Sequence, residues 1–156
     1  MANKYWLFKS EPSEFSWADL KNSKNQATCW DGVRNYQARN FLRNELKRGD
    51  GVLFYHSGTD PLAVVGYCEV IKEGYPDHTQ FDKSSDNYDP KAKNDSPTWF
   101  MVDIKLVKEC KTPVTLDQIR ANPKLKNMKL IQRGQRLSIQ PVTQAEWDEI
   151  LKMEAP

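Results

Sequence analysis

The chain is poor in the residues that would staple it or anchor it. Three cysteines, Cys29, Cys68 and Cys110, stand far apart among 156 residues, with no Cys-x-x-Cys pair and only two histidines. That spacing argues against a disulfide framework and against a zinc site, so no metal or cofactor is expected. Reduced thiols in a reducing, cytoplasmic setting follow. No apolar run reaches the ~18 residues of a membrane span, and MANKYWLFKSEP at the N-terminus lacks the apolar stretch of a secretory signal. No membrane partner is expected. Glycine-rich phosphate loops and a G-x-S-x-G elbow are also missing. The net charge is only +2, too small to announce a nucleic-acid partner unless the charge is clustered.

What is present reads as one domain over 1–156, long enough to bury its own core. Tyr5 to Phe8 is a short apolar strand, ended by Glu11-Pro12. Ser16 with Asp19 predicts a capped, brief helix over Trp17 to Lys21, and Asn22 to Thr28 reads as loop. Ala38, Phe41, Leu42 and Leu46 fall on one face of an amphipathic helix stopped at Gly49-Asp50. Strands follow at Gly51 to Ser57, Leu62 to Ile71 and Thr98 to Val107, the last alternating through Phe100, Val102, Ile104 and Leu106. Between them, about 73–97 shows almost no periodicity and reads as a long polar excursion, functional or mobile. Thr115 caps a short helix with Leu116 and Ile119. Leu137 to Val142 is a last strand, and Thr143 with Glu146 opens a helix packing Trp147, Ile150 and Leu151 inward. Roughly five consecutive strands and four short helices give an α+β fold: a mostly antiparallel sheet or small barrel with helices at its ends.

Catalytic constellations are thin. His56 and Ser57 are adjacent on a strand and point to opposite faces. Cys29 partnered through space with His56 is a possible nucleophile pair, against the commoner role of a buried small hydrophobe. Asp77, His78, Asp82, Asp86 and Asp89 lie among lysines and read as a solvated face rather than a metal site.

Binding chemistry is better represented. From Arg120 to Arg136 there are six basic residues and no acidic one, so charge is strongly segregated along the chain. Such a tract attracts phosphates or forms a solvated loop. The stretch CWDGVRNYQARN, Cys29 to Asn40, crowds Trp30, Arg34, Asn35, Tyr36, Gln37 and Arg39 together. Aromatic faces interleaved with amides and guanidinium groups suit an unstacked base, though each ring alone serves a core equally well. A pocket of this kind also suits a protein side chain, which leaves an interaction module as an alternative.

WLFKSEP, WDGVRNYQARNFLR, GDGVLFYHS, AVVGYCEV and RLSIQPV occur in this order at spacings that resemble EVE domain proteins. The resemblance runs from Trp6 to about Trp147, and the chain looks like the small bacterial members. It implies a PUA-like fold, a small mixed β-barrel flanked by short helices, similar to YTH domains. It also implies a non-catalytic reader of modified bases in DNA or RNA, notably modified cytosines such as 5-methylcytosine or 5-hydroxymethylcytosine; the sequence leaves the oligomeric state open, with a monomer favoured. Carried over by position, the pocket would comprise Lys9, Ser10, Glu11, Trp30, Arg34, Asn35, Tyr36, Gln37, Tyr55, His56, Ser57, Ser138 and Gln140. Arg39, Arg133 and Arg136 would hold flanking phosphates.

Overall fold

The computed structural model describes residues 3–154. Six strands form one sheet: β1 Tyr5–Ser10, β2 Ala27–Cys29, β3 Gly51–His56, β4 Ala63–Pro76, β5 Phe100–Thr115 and β6 Ile139–Val142. Their order is β2-β5-β4-β3-β1-β6. Only β1 and β3 run parallel; the other neighbours are antiparallel. The sheet is mixed, as expected, but it does not close into a barrel, because the edge strands β2 and β6 do not pair. At three and four residues, these edges offer too little ladder to complete a ring.

Strand alternation divides the core into two layers. Trp6, Phe8, Val52 and Phe54 face one way, into a cluster with Trp17, Leu20, Trp30, Ala38 and Leu42. Leu7, Leu53 and Tyr55 face the other way, with Leu116, Ile119, Leu125, Met128 and Ile150. Helices α1 (Trp17–Lys21) and α2 (Tyr36–Asn40) therefore cover the first face. Helices α3 (Leu116–Ala121) and α4 (Gln144–Glu154) cover the second. Side-chain caps start these short helices. Ser16 accepts from the Asp19 amide while Asp19 accepts from the Ser16 amide, and Thr115 with Gln118 repeats the exchange. Thr143 and Glu146 do the same before α4.

Helix α2 runs directly into a π turn, Phe41–Glu45, closed by the Leu46 amide donating to the Phe41 carbonyl at 2.9 Å. In α4, Trp147 stacks on Tyr5 at 4.6 Å and Ile150 is fully buried. Leu151, expected to pack inward, is 37% exposed. Trp17 lies so closely on β4 that a Cβ at Gly66 would sit 2.2 Å from its ring.

One loop expectation is overturned and a second gains detail. Asn22 to Thr28 contains a 3₁₀ turn and the start of β2. The 73–97 excursion is also built rather than structureless: β4 continues to Pro76, and a 3₁₀ turn, His78–Phe81, follows. Buried polar side chains hold it. The Gln80 amide nitrogen donates to the Asp77 and Trp99 carbonyls, and its oxygen accepts from the Thr98 and Trp99 amides. Trp99 Nε1 donates to Asp89 at 2.7 Å. Asp77 is not on a solvated face; it is fully buried.

Candidate nucleic-acid interface

The end of β1 and the 28–34 segment enclose a cavity of about 480 Å³ on the first face of the sheet. Among the residues predicted from sequence, Lys9, Ser10, Glu11, Trp30, Arg34 and Ser138 line it. Trp30 is anchored in the core, tilted against Phe8 at 5.2 Å and edge-on to Phe54 at 5.6 Å. It is 9% exposed and lines the cavity wall. The cavity also has members that sequence reasoning missed: Phe15, Thr28, Asp31, Gly32 and Asn87. Phe15 carried a signal, an aromatic just outside a helix cap. Asn87, inside an aperiodic loop, carried none.

The other predicted residues lie elsewhere. Asn35 is the N-cap of α2, its Oδ1 accepting from the Ala38 amide at 3.0 Å. Tyr36 is 63% exposed, stacked on Trp99 at 5.0 Å with the Arg39 guanidinium 5.2 Å from its ring centre. Gln37 is exposed beside it. Tyr55 alternates to the opposite face of the sheet from Phe54, where burial pushes its hydroxyl up to about 12 against the opposing pull of Arg120. Gln140 is buried, its amide nitrogen donating to the Leu137 carbonyl. The Ser57 amide donates to the Ser10 carbonyl at 3.0 Å, tying the cavity strand β1 to the end of β3. His56 accepts on Nε2 from the Trp17 amide at 3.0 Å, and burial lowers its pKa.

The arginines divide by role. Arg34 Nη1 pairs with Asp77 at 3.1 Å, Nη2 donates to Thr79, and Nε and Nη2 both donate to the Asn87 carbonyl. It thus straps the excursion to the cavity wall and has little left for a phosphate. Arg39 gives Nη1 to the Thr98 carbonyl at 2.7 Å. Arg133 and Arg136 are exposed, outside the cavity lining, and form no ion pair among the described residues. Much of the basic tract lies away from the cavity: Leu125, Met128 and Leu130, interleaved with its lysines, pack on the second face. The tract ends two residues before Ser138 of the cavity wall.

The cavity's charges are mixed. Burial lowers the Lys9 pKa, easing its release of a proton. Burial, then repulsion from Asp77, raises that of Asp31. Burial alone would raise Asp77, but hydrogen bonds from Thr79, Gly32 and Arg34 outweigh it and hold the carboxylate below its usual range. Cys29 is pushed up by burial, with Asp31 and Asp103 adding to it, and stays a thiol at neutral pH. No cluster of metal-ligating side chains occurs among the described residues, and no helix among them is long and apolar enough to cross a membrane.

Comparison with known proteins agrees with this architecture. The EVE domain matches residues 4–153. Mouse thymocyte nuclear protein 1 is 47% identical over 96% of this chain and 73% of its own length. A crystal structure of human THYN1 protein in complex with DNA containing 5-methylcytosine is 45% identical, superposes with a TM-score of 0.93, and the match covers 99% of both chains. A protein from Pseudomonas syringae is 41% identical with a TM-score of 0.90, covering 96% of this chain and 99% of its own. The chain is therefore a member of the EVE domain family.

Proposed function

We propose that this protein binds DNA and seats one unstacked, modified cytosine in the cavity beside Trp30. The observation that carries the reading is its 45% identity, over nearly the full chain, to a human protein crystallised with 5-methylcytosine DNA. The cavity supports it: about 480 Å³ lies within the ~300–1,000 Å³ range of small-ligand sites. Trp30 and Phe15 supply ring surface for a base, Lys9 and Ser138 polar groups at the wall. Stacking of this kind is worth ~1–3 kcal/mol per base, enough to offset much of the cost of unstacking it. Phosphates of the flanking strand fall to exposed cations, Arg133 and Arg136 among them.

Binding fits the chemistry better than catalysis. Cys29 is held protonated, the opposite of an activated nucleophile. His56 commits the lone pair a general base needs to the Trp17 amide. The test is a titration of labelled duplexes carrying one 5-methylcytosine, one 5-hydroxymethylcytosine or one unmodified cytosine at the same position. Tighter binding to a modified duplex is expected. Equal affinity for all three would refute the reading.

A further inference from the structure

Asn87 is the one cavity residue supplied by the 73–97 excursion, and its environment is unusual for a loop side chain. Its backbone is fixed on both sides. The carbonyl accepts from Arg34 Nε at 3.2 Å and Nη2 at 2.8 Å, and the amide donates to Ser85 Oγ at 3.0 Å. Arg34 is itself pinned by the buried Asp77, which also accepts from the Gly32 amide at 2.8 Å. Gly32 leaves the space that the Asn87 side chain occupies: a Cβ there would lie 2.9 Å from Asn87 Nδ2, on a backbone with φ of +78°. The side-chain amide, by contrast, makes no hydrogen bond among the described residues, although every polar group around it that fixes the loop is engaged. A half-buried amide carried on a fixed backbone, with both its donor and its acceptor unused, is poised for a ligand.

We infer that Asn87 reads the cytosine edge of the base, Nδ2 donating to N3 and Oδ1 accepting from the N4 amine. This rests on the base-binding reading of the cavity. It assigns that reading's choice of cytosine, as distinct from its choice of modification, to a residue outside the strands. An amide in that orientation matches cytosine and opposes thymine, whose N3 donates and whose O4 accepts. Thymine carries the same 5-methyl group as 5-methylcytosine, so comparing the two isolates edge recognition from methyl recognition.

The experiment measures affinity for duplexes holding 5-methylcytosine or thymine at one mismatched, readily unstacked position, for the wild type, Asn87→Ala and Asn87→Asp. Asn87→Asp keeps the shape and removes the donor. Both variants are expected to lose about tenfold in preference for 5-methylcytosine over thymine, with thermal unfolding and salt dependence unchanged. A uniform loss of affinity with the preference intact would make Asn87 only a structural prop and overturn the inference, as would unchanged binding. If the wild type itself fails to favour 5-methylcytosine over unmodified cytosine, the parent reading fails, and that result is separable because it does not involve Asn87.

Discussion

Removing the Asp77 carboxylate tests how the cavity wall is held. Asp77 is fully buried and accepts hydrogen bonds from the Gly32 amide at 2.8 Å, the Thr79 amide at 2.8 Å and Arg34 at 3.1 Å. Asp77→Ala leaves the Arg34 guanidinium and the Gly32 amide without their partner, and breaking a buried pair from one side costs about 3–5 kcal/mol. Asp77→Asn preserves the shape and some of the bonds, so a smaller loss, roughly 1–3 kcal/mol, is expected. Urea unfolding at neutral pH measures both. The acid dependence supplies a second signature. The folded-state pKa of Asp77 is depressed, so its contribution is fully present above the unfolded value of about 3.9 and disappears as pH falls through the folded value. The stability gap between wild type and Asp77→Asn must therefore narrow below about pH 4. A gap under about 0.5 kcal/mol at neutral pH, the range of an ordinary surface substitution, or one that does not narrow in acid, would refute the argument.

Other expectations follow from individual side chains. Gly66→Ala forces a methyl group to within 2.2 Å of the Trp17 ring and is expected to destabilise by about 1–3 kcal/mol in urea unfolding. Trp30→Ala empties a core position as well as a cavity wall, so a loss of about 3–5 kcal/mol should accompany any loss of base discrimination. Trp30→Phe, measured in the same binding titration, separates the two by retaining an aromatic face. Neutralising Arg133 and Arg136 together should weaken binding to modified and unmodified DNA alike and reduce the salt slope by about 1 for each phosphate they neutralise; an unaltered slope removes them from the phosphate path.

How much of this is legible in the sequence depends on what holds each element. Where apolar periodicity and caps decide the structure, the reading is direct: β1, the helix caps at Ser16, Thr115 and Thr143, and the alternation in β5 appear as expected. Barrel closure is a different matter, since it depends on how the two edges meet, and β2, at three residues, is too short to leave a pattern. The excursion escapes because Asp77 and Gln80, polar residues indistinguishable in sequence from solvated ones, form its core. Tyr55 shows how proximity along the chain misleads: it neighbours His56, yet the strand turns it into the opposite layer. Arg34 and Asn35 are adjacent in sequence but diverge in role: Arg34 lines the wall and binds the loop, whereas Asn35 caps a helix. CWDGVRNYQARN is crowded because it lines a cavity with Trp30 and Arg34, caps α2 with Asn35 and places the Tyr36–Trp99 stack outside.

The central claim is that the cavity, rather than the general surface, receives the modified base. Ser138→Phe, at the wall and away from the buried core, would fill that space while leaving the exposed cations intact. Affinities of the wild type and this variant for 5-methylcytosine and unmodified duplexes, with thermal unfolding as a control, decide the matter. The account predicts that the blocked variant keeps its salt-dependent binding to DNA and loses its preference for the modified duplex. A folded variant that still prefers 5-methylcytosine as strongly as the wild type would contradict it.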